Sequence, residues 1–273
     1  MYKMIAIDLD DTLLTDQLII SRGTIEAIQQ AVDAGIVVTI ATGRMYSSAK
    51  KIARSLDLNV PLITYQGALV KEANGEDIHY ERLIDPETAH QLIEFAKYED
   101  LHLQVYQDDT LYSSSENKLL QQYANDVKVP YVIEPDLAKL AGRGFDKMLF
   151  IDAPDYLDKL QDELRSLFGQ RAHITKSRPF YLEITHPEAN KGLALLHLAG
   201  RLGIDRSEII GIGDSYNDLD LIMSAGLGVA MGNAVDELKK QADYVTYSNN
   251  EEGVRHVIEK FIFQNELTAV KSG

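Results

Sequence analysis

The run IVVTIATGR at 36–44 is apolar at nearly every position until it meets a Thr-Gly-Arg turn. A strand of that kind cannot leave one face in water, so it predicts a parallel sheet covered by helices on both faces. An earlier run, MIAIDL at 4–9, reads as another buried strand and ends against three carboxylates, Asp8, Asp10 and Asp11. Between the two lies SRGTIEAIQQAVDAG, with Ser21 as N-cap, Ile25, Ile28 and Val32 as the apolar stripe, and Gly35 as the stop. A helix over 47–56 and the strand PLITY complete a βαβαβ pattern, the opening of a doubly wound α/β domain.

The rhythm then changes. Residues 83–187 read as a helix at 86–98, strands at 101–107 and 110–112, and a helix near 116–125. A short segment YVIEP follows, then the strand DKMLFID, a helix at 156–167 and the strands AHITKS and FYLEIT. This αββ repetition predicts an antiparallel sheet with helices on one face, an α+β module inserted into the first domain. From 190 the α/β alternation returns, with strands EIIGIGD, GLGVAM and DYVTY separated by helices and a last helix over 251–261. The expected fold class is therefore α/β: a discontinuous, doubly wound parallel core at 1–82 and 188–273, and an inserted α+β domain at 83–187. The tail NELTAVKSG is expected to fray.

Composition narrows the function. With 27 Lys and Arg against 42 Asp and Glu, the 273-residue chain carries a formal charge of −15. Nucleic acid and anionic membranes need a basic surface, so neither is an expected partner; no obligate protein partner is evident either. There is no cysteine, which excludes disulfides, thiolate metal sites and cysteine nucleophiles. The seven histidines are scattered without metal-ligand spacing. The N-terminus lacks the features of a signal peptide, and no uncharged apolar run approaches the roughly 18 residues of a membrane span. A cytoplasmic protein acting on a small molecule is the expectation.

Ligands of open parallel sheets bind beyond the carboxyl ends of the strands. Four polar clusters occupy such positions: DLDD at 8–11, TGR at 42–44, NKG at 190–192 and GDSYND at 213–218. If the sheet forms as read, all four meet in one crevice. Crowded carboxylates there cost free energy unless a cation, proton or substrate compensates them. A hard divalent ion such as Mg²⁺ answers Asp8, Asp214 and Asp218. Thr42 and Gly43 offer a hydroxyl and an unobstructed amide to phosphoryl oxygens, and Lys191 offers a point charge. One carboxylate of the first cluster can act as nucleophile while its neighbour handles protons.

In this order the clusters resemble the four motifs of the haloacid dehalogenase superfamily. TYQGALV at 64–70, VAMGNA at 229–234 and ADYVT at 242–246 are similar to its Cof-type branch, whose α+β cap lies between the second and third motifs. The resemblance covers residues 2–262 and implies a Mg²⁺-dependent phosphatase. It implies Asp8 as nucleophile forming an aspartyl phosphate, and Asp10 as the acid and base. It places Mg²⁺ on Asp8, the Asp10 carbonyl and Asp214, with Ser215 and Asp218 near its shell, and the phosphoryl group on Leu9, Thr42, Gly43, Lys191 and Asn217. Sugar phosphates are the expected substrates. Cofactor or nucleotide phosphates, such as flavin mononucleotide or pyridoxal phosphate, are the alternative. A phosphosugar-sensing protein with little turnover is a rival from another class. Candidates for specificity are Arg44, Tyr46, Gln66, Arg178 and Tyr181, although Tyr181 also fits simple strand packing and Arg44 simple pairing with an acid. Gln66 departs from the pattern, standing where similar sequences carry Asn.

Overall fold

The computed structural model describes residues 1–263; the tail NELTAVKSG lies outside them. Its central sheet is five parallel strands in the order Tyr244–Val245, Leu227–Ala230, Ile209–Gly213, Met4–Ile7 and Val37–Ile40. Alternation along the Met4–Ile7 strand explains the two covering layers. Ile5 and Ile7 pack with Ala27, Ile28 and Ala31 of helix Arg22–Asp33 and with Val254 and Val257 of helix Gly253–Ile258. Met4 and Ala6 pack on the other side with Ala194, Leu195 and Leu198 of helix Lys191–Arg201. The doubly wound core is present.

Several local expectations are corrected. The strand Leu62–Thr64 meets the parallel sheet through one bridge, Ala41 to Ile63, and mainly heads an antiparallel sheet with Leu69–Lys71 and Ile78–Glu81. Those two added strands were not anticipated, although Asn74-Gly75 between them is a hairpin signal. Val32, expected on the buried stripe, is 39% exposed, because the stripe of its helix runs through Thr24, Ala27, Ile28 and Ala31 instead. The last helix starts at Gly253, after Glu252 takes a left-handed conformation.

The inserted region forms a six-stranded sheet in the order His173–Arg178, Tyr181–Thr185, Lys147–Ile151, Leu103–Gln107, Thr110–Ser113 and Tyr131–Ile133. All neighbours are antiparallel except the last pair, which is parallel. On the outer face Leu103, Val105, Met148, Phe150, Leu182 and Ile184 pack with helices Pro86–Tyr98 and Pro154–Phe168. The expectation that every helix lies on one face fails for Lys118–Val127. Its Leu120 and Tyr123 join Tyr106 and Leu149 on the opposite face, since the outer one is already covered. That inner face also carries Lys147, Tyr181 and Glu183, and it lies over the carboxyl ends of the parallel strands.

Candidate active site

Each polar cluster is placed by the element before it. Asp8 leaves the first strand extended (φ −67°, ψ 161°) and the chain turns sharply, with Asp11 in the left-handed region at φ 61°. Asn190 caps its helix by accepting from the Leu193 N–H at 2.8 Å, which fixes Lys191 at the first turn. The Lys191 side chain is fully buried, and its Nζ donates to Asp8 Oδ1 and Asp218 Oδ1, both at 2.6 Å. The other Asp218 oxygen accepts the backbone N–H groups of Asp214 and Ser215 at 3.0 and 3.1 Å. The Asp214 carboxylate accepts the Thr12 hydroxyl at 2.7 Å.

Two buried carboxylates thus share one ammonium, and a third stands beside them. Carboxylate oxygens of Asp8, Asp214 and Asp218 lie within 4.8 Å of one another. Burial, then the charges of Asp218 and Asp8, push the Asp214 carboxyl far up; burial likewise outweighs Lys191 and pushes Asp8 up. Burial disfavours the Lys191 charge, but Asp218 and Asp8 more than offset it and hold the lysine protonated. The remaining negative charge, on oxygen donors alone, fits a divalent ion of the Mg²⁺ type.

In the second cluster Arg44 pairs with an acid, one of the two readings its sequence allowed. Arg44 holds Asp10 with two hydrogen bonds, Nη2 to Oδ1 at 2.6 Å and Nε to Oδ2 at 2.8 Å. Burial pushes the Asp10 carboxyl up, yet the Arg44 hydrogen bonds and charge prevail and hold it below the usual carboxylate range. Thr42 is buried, and its hydroxyl accepts the Arg44 N–H at 3.2 Å. A Cβ at Gly43 would lie 2.3 Å from Gln66 Nε2, so any larger residue there would displace the Gln66 amide. Gln66 sits in a strained turn: Tyr65 and Gln66 have φ of 50° and 59°, conformations non-glycine residues hold only where the surroundings enforce them. Hydrogen bonds from Tyr65 N–H to Arg44 O and from Gln66 N–H to Thr42 O enforce this one.

The inserted domain is closed over this site. Lys147 donates to the Gly43 carbonyl at 2.7 Å, Gln66 Nε2 donates to Glu183 at 2.8 Å, and Arg178 reaches Asp11 at 3.2 Å. The Ser215 hydroxyl donates to the Ser177 carbonyl at 3.2 Å, and Tyr65 donates its hydroxyl to Asp109 at 2.7 Å. A cavity of about 310 Å³ remains between the domains.

Asp8, Asp10, Thr42, Gly43, Arg44, Gln66, Arg178, Tyr181, Asp214, Ser215 and Asn217 line that cavity together. Lys191 and Asp218 lie directly behind its wall. Leu9 buries its side chain in the core, leaving only its backbone to face the site. The Asn217 amide donates to Gln66 Oε1 at 3.0 Å, while its own Oδ1 is buried with no partner among the described residues. Tyr46 is not on this cavity. It donates its hydroxyl to the Glu72 carbonyl at 2.6 Å and lines a separate cleft with Asp109 and Asp146. Lys147, Glu183 and Tyr123 also line the active cavity and were missed by sequence reasoning. A usable signal existed for Glu183: in FYLEIT it is a charge inside an apolar strand, two residues from Tyr181 and so on its face.

Residues 5–258 match the family model described as haloacid dehalogenase-like hydrolase. The chain belongs to that family. It is a phosphohydrolase with the Rossmann-like core and inserted cap of the group, and its substrate is a small phosphorylated molecule. A crystal structure from Thermotoga maritima is 37% identical, covers 96% of this chain and 98% of its own, and superposes with a TM-score of 0.83. The 5-amino-6-(5-phospho-D-ribitylamino)uracil phosphatase YwtE of Bacillus subtilis is 34% identical over 95% of this chain and 98% of its own. The phosphatase YcsE of the same organism, with the same activity in its name, is 32% identical over 95% and 96%. Among the described residues no helix is long and apolar enough to cross a membrane.

Proposed function

We propose that this phosphatase removes the phosphoryl group from a phosphorylated precursor of a heterocyclic cofactor, with Asp8 as nucleophile. The observation that carries the chemistry is the placement of Asp8. It is buried and hydrogen-bonded to Lys191, beside Asp214 and Asp218, and it opens onto the cavity that also holds Asp10. Asp8, Asp214, Asp218 and the Asp10 carbonyl would hold a divalent ion, which would neutralise charge on the phosphoryl oxygens and on the nucleophile.

The remaining work falls to side chains of this chain. Asp8 attacks phosphorus and the ester oxygen leaves, giving an aspartyl phosphate. Asp10 donates a proton to that leaving oxygen, then removes one from the water that hydrolyses the aspartyl phosphate. Arg44 orients Asp10 between these two roles. Lys191 hydrogen-bonds Asp8 and opposes the burial that disfavours its charge, and the Leu9 amide, Thr42, Gly43 and Asn217 receive phosphoryl oxygens. The closed cap excludes water from the site.

The substrate class rests on the activity carried by the two Bacillus subtilis relatives, and on a cavity with room for a ring and a polyol chain. Both support cofactor-type phosphates over simple sugar phosphates. The test is phosphate release from 5-amino-6-(5-phospho-D-ribitylamino)uracil, flavin mononucleotide, pyridoxal phosphate and hexose phosphates. Each is run with Mg²⁺, with chelator and with Asp8→Asn protein. A hexose phosphate ranking first by kcat/KM overturns the substrate class. Release that survives in Asp8→Asn overturns the mechanism.

A further inference from the structure

The cap brings to the cavity a buried ion pair that none of the motifs accounts for. Lys147 and Glu183 are 2% and 4% exposed, and their charged ends are 3.2 Å apart. Strand alternation sets both on the inner face, where Lys147 is paired with Tyr106 and Glu183 with Leu149. Burying an isolated charge here costs several kcal/mol, and even a matched pair is often no more stable than apolar side chains of similar volume. Packing alone therefore gives little reason for it.

We propose that Lys147 and Glu183 form the subsite for the leaving group, a net-neutral donor and acceptor set that selects uncharged polar groups. This rests on the phosphatase reading above. Lys147 has three N–H donors and uses one on the Gly43 carbonyl and one on Glu183. Glu183 accepts from Ser177 at 2.5 Å, from Gln66 at 2.8 Å and from Lys147, which leaves one of its roughly four lone-pair sites for a further donor. The other cations on the wall are already matched, Arg44 by Asp10 and Arg178 by Asp11. A leaving group bearing hydroxyls or an adjacent N–H and C=O is matched at this site; one bearing a carboxylate meets Glu183 with no free cation to balance it. Gln66 is a positioning residue. It spans from Asn217 on the core to Glu183 on the cap, so the subsite takes its shape only when the cap is closed.

The test uses two esters that differ only at the far end, sorbitol 6-phosphate with a terminal CH2OH and 6-phosphogluconate with a terminal carboxylate. Wild-type enzyme is expected to favour sorbitol 6-phosphate by at least about tenfold in kcat/KM. Glu183→Gln leaves Lys147 unmatched and shifts the ratio toward 6-phosphogluconate by about tenfold; Lys147→Met shifts it the opposite way. A structural role for the pair moves both rates together and leaves the ratio alone. A wild-type ratio within twofold of unity, or single variants that shift it the same way, overturns the proposal. If the single variants do not fold, the double variant Lys147→Met/Glu183→Leu removes the pair without stranding a charge. It is expected to bring the ratio close to unity, and a ratio kept at the wild-type value overturns the proposal. The same esters titrated calorimetrically onto Asp8→Asn protein read the subsite without turnover. Absent hydrolysis with a preserved binding preference therefore counts against the proposed function, and absent preference against the subsite.

Discussion

Arg44 and Asp10, 34 residues apart in the chain, meet end to end, both guanidinium contacts at 2.8 Å or less. The pair holds Asp10 as an anion aimed into the cavity, whereas its proposed first act is to give a proton. An arriving phosphoryl group, itself an anion, would compete for Arg44 and so loosen the hold that keeps Asp10 ionised.

Arg44→Lys keeps the charge but loses the two-point grip. The expected result is a fall in kcat of about 10- to 100-fold with a smaller change in KM, since orientation of the proton carrier is lost rather than ground-state binding. Steady-state kinetics on the best ester check this; an unchanged kcat means that Arg44 does not orient Asp10.

Lys191 pairs with Asp8 and Asp218, two of the three clustered carboxylates. Lys191→Met strands Asp8 and Asp218 without a counter-charge and is expected to cost about 3–5 kcal/mol of stability. Urea unfolding of metal-free protein measures it. A loss below about 1 kcal/mol means that the cluster relaxes or takes up protons at little cost.

Metal binding has a readout independent of turnover. Saturating Mg²⁺, at about 100 times its Kd, is expected to stabilise the wild type by about 2.7 kcal/mol and to raise Tm by about 5 °C. Asp214→Asn is expected to abolish that rise while making the metal-free protein more stable, because it removes a crowded buried charge. Differential scanning calorimetry with and without Mg²⁺ separates the two effects.

Asp146 gives a pH dependence well away from the catalytic cluster. It is 5% exposed, and burial followed by the charges of Glu81, Asp108 and Asp109 pushes its carboxyl up to about 7, with Arg143 opposing them. A carboxyl raised in the folded state keeps its proton there after the unfolded chain has lost it, so stability falls as pH rises from about 4 to about 7. Asp146→Asn is therefore expected to be more stable than the wild type at pH 8, by about 1–3 kcal/mol, and no more stable at pH 4. Chemical denaturation at the two pH values tests the sign.

Much of the fold was legible because its signals are local. The runs MIAID, IVVTIATGR and EIIGIGD are apolar over the few residues that define a buried strand, and Ser21 and Asn190 announce their helices by capping them. Helix Pro86–Tyr98 was legible to the residue, with Asp85 as its cap and Pro86 at its first position. The errors fall where tertiary context overrides local preference. Helix Lys118–Val127 has an ordinary amphipathic stripe, and only the covered outer face of the sheet sends it to the inner one. The hairpin after Gly67 was obscured because TYQGALV reads as a strand end and loop.

The sequence by itself determined the parallel core, the insertion and the four acidic and basic clusters, because each is written in neighbouring residues and in the period of their side chains. Only the tertiary structure decided which of those charges meet. Lys191 reaches Asp8 across 183 residues, Lys147 reaches Gly43 across 104 and Gln66 reaches Glu183 across 117. No periodicity links positions so far apart. Their pairing follows from how the sheet orders its strands and how the cap closes over their ends, where burial makes every unmatched charge costly enough to select its partner.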